Sequence, residues 1–262
     1  MSNLGTAVVT GASSGIGASF ASRLASDGYD LLIVARRADR LSELAGRLRE
    51  NTGVHVETLV ADLSDPQDVG RLETRLSQIP LSVLINNAGV GALGPTSKVP
   101  ADAQDALLRV NVIALTRLSL AAIDRFKAAG RGTLINIASV MALLPSAGGG
   151  AYSGSKAYVL NFTRSLRLEL SGSGIGVHAV MPGPVRTEFF SSQGLSDAIF
   201  PDSAYVSADE LADAVMAGVR QGHEVITPTL SSANIWLDFE AARGAYMQDV
   251  MSGKIAARYA GS

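Results

Sequence analysis

Tyr152 and Lys156 stand four residues apart at the start of a helix-like stretch, residues 151–170, so both side chains fall on one helix face. A phenol and an ammonium held together can manage a proton. Carbonyl reduction needs a donor for the developing alkoxide, and alcohol oxidation needs a base for the same proton. A free tyrosine titrates near ~10, and a nearby ammonium with a cationic cofactor ring is expected to favour the phenolate. A shift of about three units corresponds to roughly 4 kcal/mol. Ser139, closing the apolar run 133–138, offers a hydroxyl to the substrate oxygen and to the charge that develops on it. Tyr and Lys at this spacing also commonly cover a helix surface, so their placement beside a cofactor decides their use.

A cofactor site is predicted near the N-terminus. Thr10-Gly11-Ala12-Ser13-Ser14-Gly15-Ile16-Gly17 follows an apolar strand and opens an amphipathic helix. Glycines allow a tight turn and close backbone approach, and a helix N-terminus favours a pyrophosphate. A ligand-free glycine-rich turn has the same sequence form. About 20 residues on, where an Asp or Glu would hold the adenosine ribose, stand Ala35, Arg36 and Arg37. A guanidinium there suits a 2′-phosphate, with a hydroxyl from Ser13 or Ser14 adding a hydrogen bond. NADP (NADPH) is therefore expected ahead of NAD. One arginine capping or solvating the next helix is the competing role, and Asp39 is a displaced acidic counter-signal.

These side chains need a scaffold of alternating strands and helices. Short β-rich apolar runs at 4–10, 30–35, 54–60, 81–85, 133–138, 176–181 and 224–227 are separated by longer amphipathic stretches, among them 41–48 and 106–126. That is the pattern of an α/β, doubly wound parallel sheet of about seven strands with helices on both faces, binding ligands at the strands' carboxyl ends. One domain over 1–262 is expected. Residues up to about 140 would form its cofactor half, and about 139–262 its catalytic and substrate half. The irregular segment 187–206, carrying Phe189, Phe190, Phe200 and Tyr205, reads as a lid.

Composition narrows the partners. The net charge of -2 supplies no field for nucleic acid or an anionic membrane. No uninterrupted apolar run is of membrane-spanning length, and the N-terminal residues lack a basic-then-apolar signal, so a cytoplasmic location is expected. The chain has no cysteine, and its histidines, His55, His178 and His223, lie far apart. No metal site is expected.

The glycine spacing, Asp62, Asn86-Asn87-Ala88-Gly89, Asn111, Ser139, Tyr152-Ser153-Gly154-Ser155-Lys156 and Pro182-Gly183-Pro184-Val185-Arg186-Thr187 occur in an order that resembles the short-chain dehydrogenase/reductase family across residues 5–187. The resemblance implies a Rossmann-type fold and reversible hydride transfer between nicotinamide and a carbonyl or secondary alcohol. By the same resemblance, Gly11, Ser13, Ser14, Gly15, Ile16 and Gly17 hold the phosphates, with Arg36 and Arg37 beside them. Asp62 and the Leu63 backbone meet the adenine, although Asp62 also suits an N-cap of the following helix. Asn87, Ala88 and Gly89 border the cofactor ribose, and Asn86 stabilises the central sheet. Lys156 binds the nicotinamide ribose, and Asn111 and Tyr152 are counted with it among the cofactor-binding residues. Pro182, Gly183, Val185 and Thr187 surround the nicotinamide, where a strand-ending turn is a compatible role.

Asn111 joins Ser139, Tyr152 and Lys156 as a fourth catalytic member, holding a water for a proton relay. A helix-packing hydrogen bond is the alternative for an Asn inside a helix. A non-catalytic NADP(H)-binding regulator is the alternative function, which the intact Ser139, Tyr152 and Lys156 disfavour.

The expected substrate is a medium-sized hydrophobic carbonyl or alcohol. Ser139, Met141 and Tyr152 are assigned to it. Leu143, Leu144, Trp236 and Phe239 fit a substrate wall or ordinary packing equally well. The resemblance also implies a homodimer or homotetramer through the Tyr152 helix, for which Leu160, Phe162, Leu166 and Leu170 are either interface or core.

Overall fold

The apolar runs do become strands. A computed structural model describes residues 4–145 and 147–260, and among them nine strands form. In chain order these are β1 (Thr6–Thr10), β2 (Asp30–Ala35), β3 (Val56–Val60), β4 (Leu81–Asn86), β5 (Gly132–Ile137), β6 (Ile175–Val180), β7 (Val185–Arg186), β8 (Val206–Ser207) and β9 (Val225–Ile226). Seven make one parallel sheet in the order β3-β2-β1-β4-β5-β6-β9, while β7 and β8 pair with each other, also in parallel. The chain divides into two compact units, Met1–Pro228 and Thr229–Ser262.

In the first unit the helices are α1 (Gly15–Ser26), α2 (Ala38–Thr52), α3 (Pro66–Gln78), α4 (Ala101–Leu108), α5 (Leu115–Ala129), α6 (Gly150–Glu169) and α7 (Ala208–Arg220). Strand periodicity splits the core in two. Ala7, Val9, Leu31, Ile33 and Ile85 bury one sheet face with α1, α2 and α7. Val8, Leu32, Val34, Leu84 and Leu134 bury the other with α3, α5 and α6. The fold is the doubly wound Rossmann type, and strand order reverses between β1 and β4, where ligands bind such sheets.

Local chemistry sets the helix ends. Asp65 caps α3, its side chain accepting from Gln67 N–H, with Pro66 at the first helical position. Ser207 and Glu210 form a reciprocal capping box on α7, and Gly53 ends α2 in the left-handed conformation. Asp62 therefore does not take the N-cap role that was its alternative to meeting the adenine. Its carboxylate accepts from the Ser64 N–H and hydroxyl at 2.9 and 2.7 Å, making a turn ahead of the helix.

The predicted 106–126 helix forms and is longer at both ends. It extends over 101–129 as α4, a π-helical turn (Arg109–Ala114) and α5, and by length and composition this run is long and apolar enough to cross a membrane. Its apolar character has a use in the fold: Leu107, Leu118, Ala122 and Phe126 are buried, the last three in the second core. Leu160, Leu166 and Leu170 are likewise buried, the last two in the second core, and the partly buried Phe162 packs against that core.

The second unit holds α8 (Ala233–Val250), which buries no residue. Its Trp236 and Phe239 rings lie 5.6 Å apart.

Candidate active site

The turn after β1 fits a dinucleotide pyrophosphate. α1 starts at Gly15, its N-cap Ser14 makes no side-chain cap, and its first turn contains no acidic residue. The helix dipole and its first N–H groups are therefore not answered by a capping side chain or a carboxylate. Gly11 and Gly15 have φ of 69° and 53°. At Gly17 a Cβ would lie 2.3 Å from the Gly11 carbonyl oxygen, so glycine is required for α1 to pack on the turn. Ile16 packs against the first core, anchoring the helix start.

Arg36 and Arg37 diverge. Arg37 donates from Nε and Nη2 to Ser13 Oγ at 3.1 and 3.0 Å, and from Nη2 to Ser14 Oγ at 2.6 Å. Its Nη1 donates to Glu188 Oε2 at 2.9 Å. Arg36 is turned instead toward Asp62, Nη1 to Oδ2 3.9 Å. Leu63 is buried in the second core, which anchors this turn. Arg40 and Glu188 were not singled out in the sequence; Arg40 Nη1 donates to both Glu188 oxygens at 2.7 and 2.8 Å.

The loops after β1 and β4 are tied together. Thr10 Oγ1 accepts from the Asn87 and Ala88 N–H groups, each at 3.0 Å, while Asn87 Nδ2 donates to the Thr10 carbonyl at 2.9 Å. Below them runs a buried amide ladder. Asn86 Nδ2 donates to Asn136 Oδ1 (2.9 Å) and Ser119 Oγ (3.0 Å), and Asn136 Nδ2 donates to Thr163 Oγ1 (3.0 Å). This joins β4 and β5 to α5 and α6.

Asn111 sits in the π-helical turn, a local distortion frequent at functional sites. Its Oδ1 accepts from Val90 N–H and its Nδ2 donates to Val90 C=O, both at 2.9 Å, and Nδ2 also reaches Ser155 Oγ at 3.2 Å. A packing role for Asn111 is thus visible. Gly89 lies beside it: a Cβ there would be 3.5 Å from both Asn111 Oδ1 and Lys156 Nζ.

Ser139 leaves β5 in extended conformation and caps a short 3-10 turn (Val140–Ala142), its Oγ accepting from Met141 N–H at 3.2 Å. The adjacent Val140 N–H donates to the Pro182 carbonyl at 3.1 Å, bringing the 182–187 turn alongside. Lys156 is buried, donates from Nζ to the Ile137 carbonyl at 2.8 Å, and places Nζ 5.7 Å from the Tyr152 ring centre. Burial pulls its pKa down to about 8.

The chain's own groups set Tyr152 above the ordinary phenol value. Burial pushes the phenol up to about 12, outweighing the Ser139 hydrogen bond, which pulls it down. The protein's own groups hold a protonated phenol, suited to donating a proton.

The segment after Pro182, Gly183 and Val185 closes over both parts. Thr187 packs on Gly15, where a Cβ would lie 2.9 Å from Thr187 Cγ2. Phe189 stands 5.6 Å from Tyr152, and ring contacts continue through Phe190 and Phe200 to Tyr205. Met141 and Leu143 are half-buried and Leu144 is exposed.

A family model described as short chain dehydrogenase matches residues 5–197. Among solved structures, the chain is similar to a short-chain dehydrogenase from Sphingobium yanoikuyae in complex with NADPH, at 41% identity and TM-score 0.92, covering 97% of this chain and 99% of that one. It is also similar to a bulky-bulky ketone specific alcohol dehydrogenase from Comamonas testosteroni, at 38% identity and TM-score 0.89, covering 99% and 100%. Among curated proteins, sulfoacetaldehyde reductase 2 of Chromohalobacter salexigens is 33% identical over 221 residues, 79% of this chain and 85% of that protein. With the family match spanning most of its length and these neighbours sharing its fold, the chain belongs to the short chain dehydrogenase family, oxidoreductases acting on alcohol and carbonyl groups.

Proposed function

We propose that the chain catalyses reversible, NADP(H)-dependent interconversion of a ketone and a secondary alcohol, with Tyr152 as general acid and base. The observation that carries this reading is the convergence of Ser139, Tyr152 and Lys156 at the end of β5, with Lys156 Nζ 5.7 Å from the phenol ring and the Ser139 hydroxyl near enough to lower the Tyr152 pKa. The bound dinucleotide supplies or accepts the hydride. The chain's side chains orient the substrate oxygen and move the proton.

Ser139 holds the substrate oxygen while Tyr152, kept protonated by burial, donates to the developing alkoxide. Lys156 holds the nicotinamide ribose, with Asn111 as a positioning residue that also orders a water leading to solvent. Gly11, Gly15, Ile16 and Gly17 seat the pyrophosphate; Asp62 and the Leu63 backbone hold the adenine. Asn87, Ala88 and Gly89 border the ribose, and Pro182, Gly183, Val185 and Thr187 face the nicotinamide.

Arg37, braced by Ser13 and Ser14, takes the 2′-phosphate, and Arg36 flanks it. The absence of an acidic residue at the end of β2 and the NADPH held by the Sphingobium relative support NADP over NAD. The aromatic series from Phe189 to Tyr205, on a segment acting as a lid, favours a ketone with bulky apolar groups, in keeping with the ketone named for the Comamonas neighbour.

We assign the protein to the cytoplasm as a homodimer or homotetramer; light scattering that finds only monomer rejects the assembly. The activity is tested by assaying NADPH and NADH in parallel against ketones of graded bulk. Equal use of both cofactors overturns the 2′-phosphate assignment, and turnover on none of the ketones overturns the substrate class.

A further inference from the structure

Three consecutive residues connect the two ends of the site. The Thr187 side chain packs on Gly15 of the phosphate turn, and the Phe189 ring lies 5.6 Å from Tyr152. Between them the Glu188 carboxylate accepts from Arg37 Nη1 at 2.9 Å and from Arg40 Nη1 at 2.7 and 2.8 Å. The two guanidiniums hold the carboxyl below its ordinary range. Since Arg37 Nε and Nη2 go to Ser13 and Ser14, Nη1 is the part of that side chain committed to Glu188.

The segment that begins here is tied elsewhere too. β7 and β8 pair at its ends, and within it Gln193 donates from Nε2 to the Phe189 carbonyl at 2.7 Å and accepts from the Leu93 N–H at 3.4 Å. Glu188 is therefore the charged tie between a segment lying on Tyr152 and the arginines at the adenosine end.

We propose that Glu188 is a specificity-determining residue whose carboxylate competes with the cofactor's 2′-phosphate for Arg37 and Arg40, coupling the head of the 187–206 segment to the choice of cofactor. The proposal rests on the assignment of Arg37 to the 2′-phosphate. A phosphate and a carboxylate seek the same guanidinium N–H donors, and Arg40 gives one nitrogen to both oxygens of Glu188. A 2′-phosphorylated ligand must share or displace this carboxylate, whereas a ligand with a free 2′-hydroxyl has no comparable claim on the pair. By linkage, whatever the ion pairs contribute to holding residue 188 is subtracted from phosphate binding. Like charge adds to the competition, because a carboxylate left beside a bound phosphate repels it. The pairs are about half exposed, so the expected effect is modest, about threefold to fivefold in affinity.

The test is calorimetric titration of the full chain with adenosine 2′,5′-bisphosphate and with adenosine 5′-monophosphate, which need no turnover. Wild type, Glu188→Gln, Glu188→Ala and Arg37→Ala are compared, with thermal melts to establish that each is folded. Wild type is expected to prefer the bisphosphate, and Arg37→Ala to lose that preference. Both Glu188 variants are expected to bind the bisphosphate about threefold to fivefold tighter, with the monophosphate changed less than twofold. If wild type shows no preference and Arg37→Ala changes nothing, the 2′-phosphate assignment fails and this proposal falls with it. If the preference and its loss in Arg37→Ala are both seen, but the Glu188 variants bind the bisphosphate no tighter, competition by Glu188 is overturned and the Arg37 assignment stands.

Discussion

The end of β5 with the first turns of α6 and the segment 187–206 meet at the Tyr152–Phe189 contact, yet they are built by opposite means. The first is set in the core: Lys156 and Ser155 are buried, and Asn136 beneath them is sealed from solvent in a ladder spanning two strands and two helices. The second is a set of 3-10 turns held by exposed ion pairs, tilted and edge-on ring contacts and one glutamine. Proton chemistry needs groups fixed to a fraction of an ångström, which dense packing and buried hydrogen bonds supply. Selection among ketones and cofactors needs a surface that can be altered without unfolding the scaffold.

Four measurements press on that contrast. The largest effect is expected at Tyr152→Phe, which should lower kcat at least about a thousandfold while NADPH affinity changes less than about twofold. Unchanged turnover would sink the assigned mechanism. Next, Asn136→Ala strips partners from Asn86 and Thr163 and should lower unfolding stability by about 2–3 kcal/mol in urea titration. A loss under about 0.5 kcal/mol would show that the ladder is not what makes the first region rigid.

In the second region, Phe189→Ala should raise KM for the ketone about tenfold with kcat within about threefold, and melting should be little changed. A fall in kcat with constant KM would instead assign Phe189 to the rigid region. The smallest effect is the pH dependence. Lys156 is lowered to about 8, so it loses its proton earlier than a free lysine, while Tyr152, raised to about 12, stays protonated. Ketone reduction should be level at neutral pH and fall to half near pH 8; a half-height near about 10 would exclude Lys156 as the group.

Much of the first region was legible. The 133–138 run became β5 (Gly132–Ile137), and the i, i+4 spacing of Tyr152 and Lys156 put both on α6. The burial that raises the Tyr152 pKa was not legible, because desolvation depends on what the fold packs around the phenol. Asp62 illustrates a local ambiguity: Asp62 and Asp65 both precede the same helix, and only backbone geometry gave the cap to Asp65. The second region was readable only as irregular and aromatic. No spacing rule could pair Glu188 with Arg37, 151 positions away, or with Arg40.

For Ser139, Tyr152 and Lys156, then, the amino-acid order alone determined the elements that carry them and the chemistry their types allow. Those follow from hydrophobic period, turn residues and helix spacing, which act over a few neighbours. Tertiary structure decided the protonation tendencies of Tyr152 and Lys156, the shared arginines at residue 188 and the ring laid on Tyr152. Each depends on burial or on contacts made only when distant surfaces pack together.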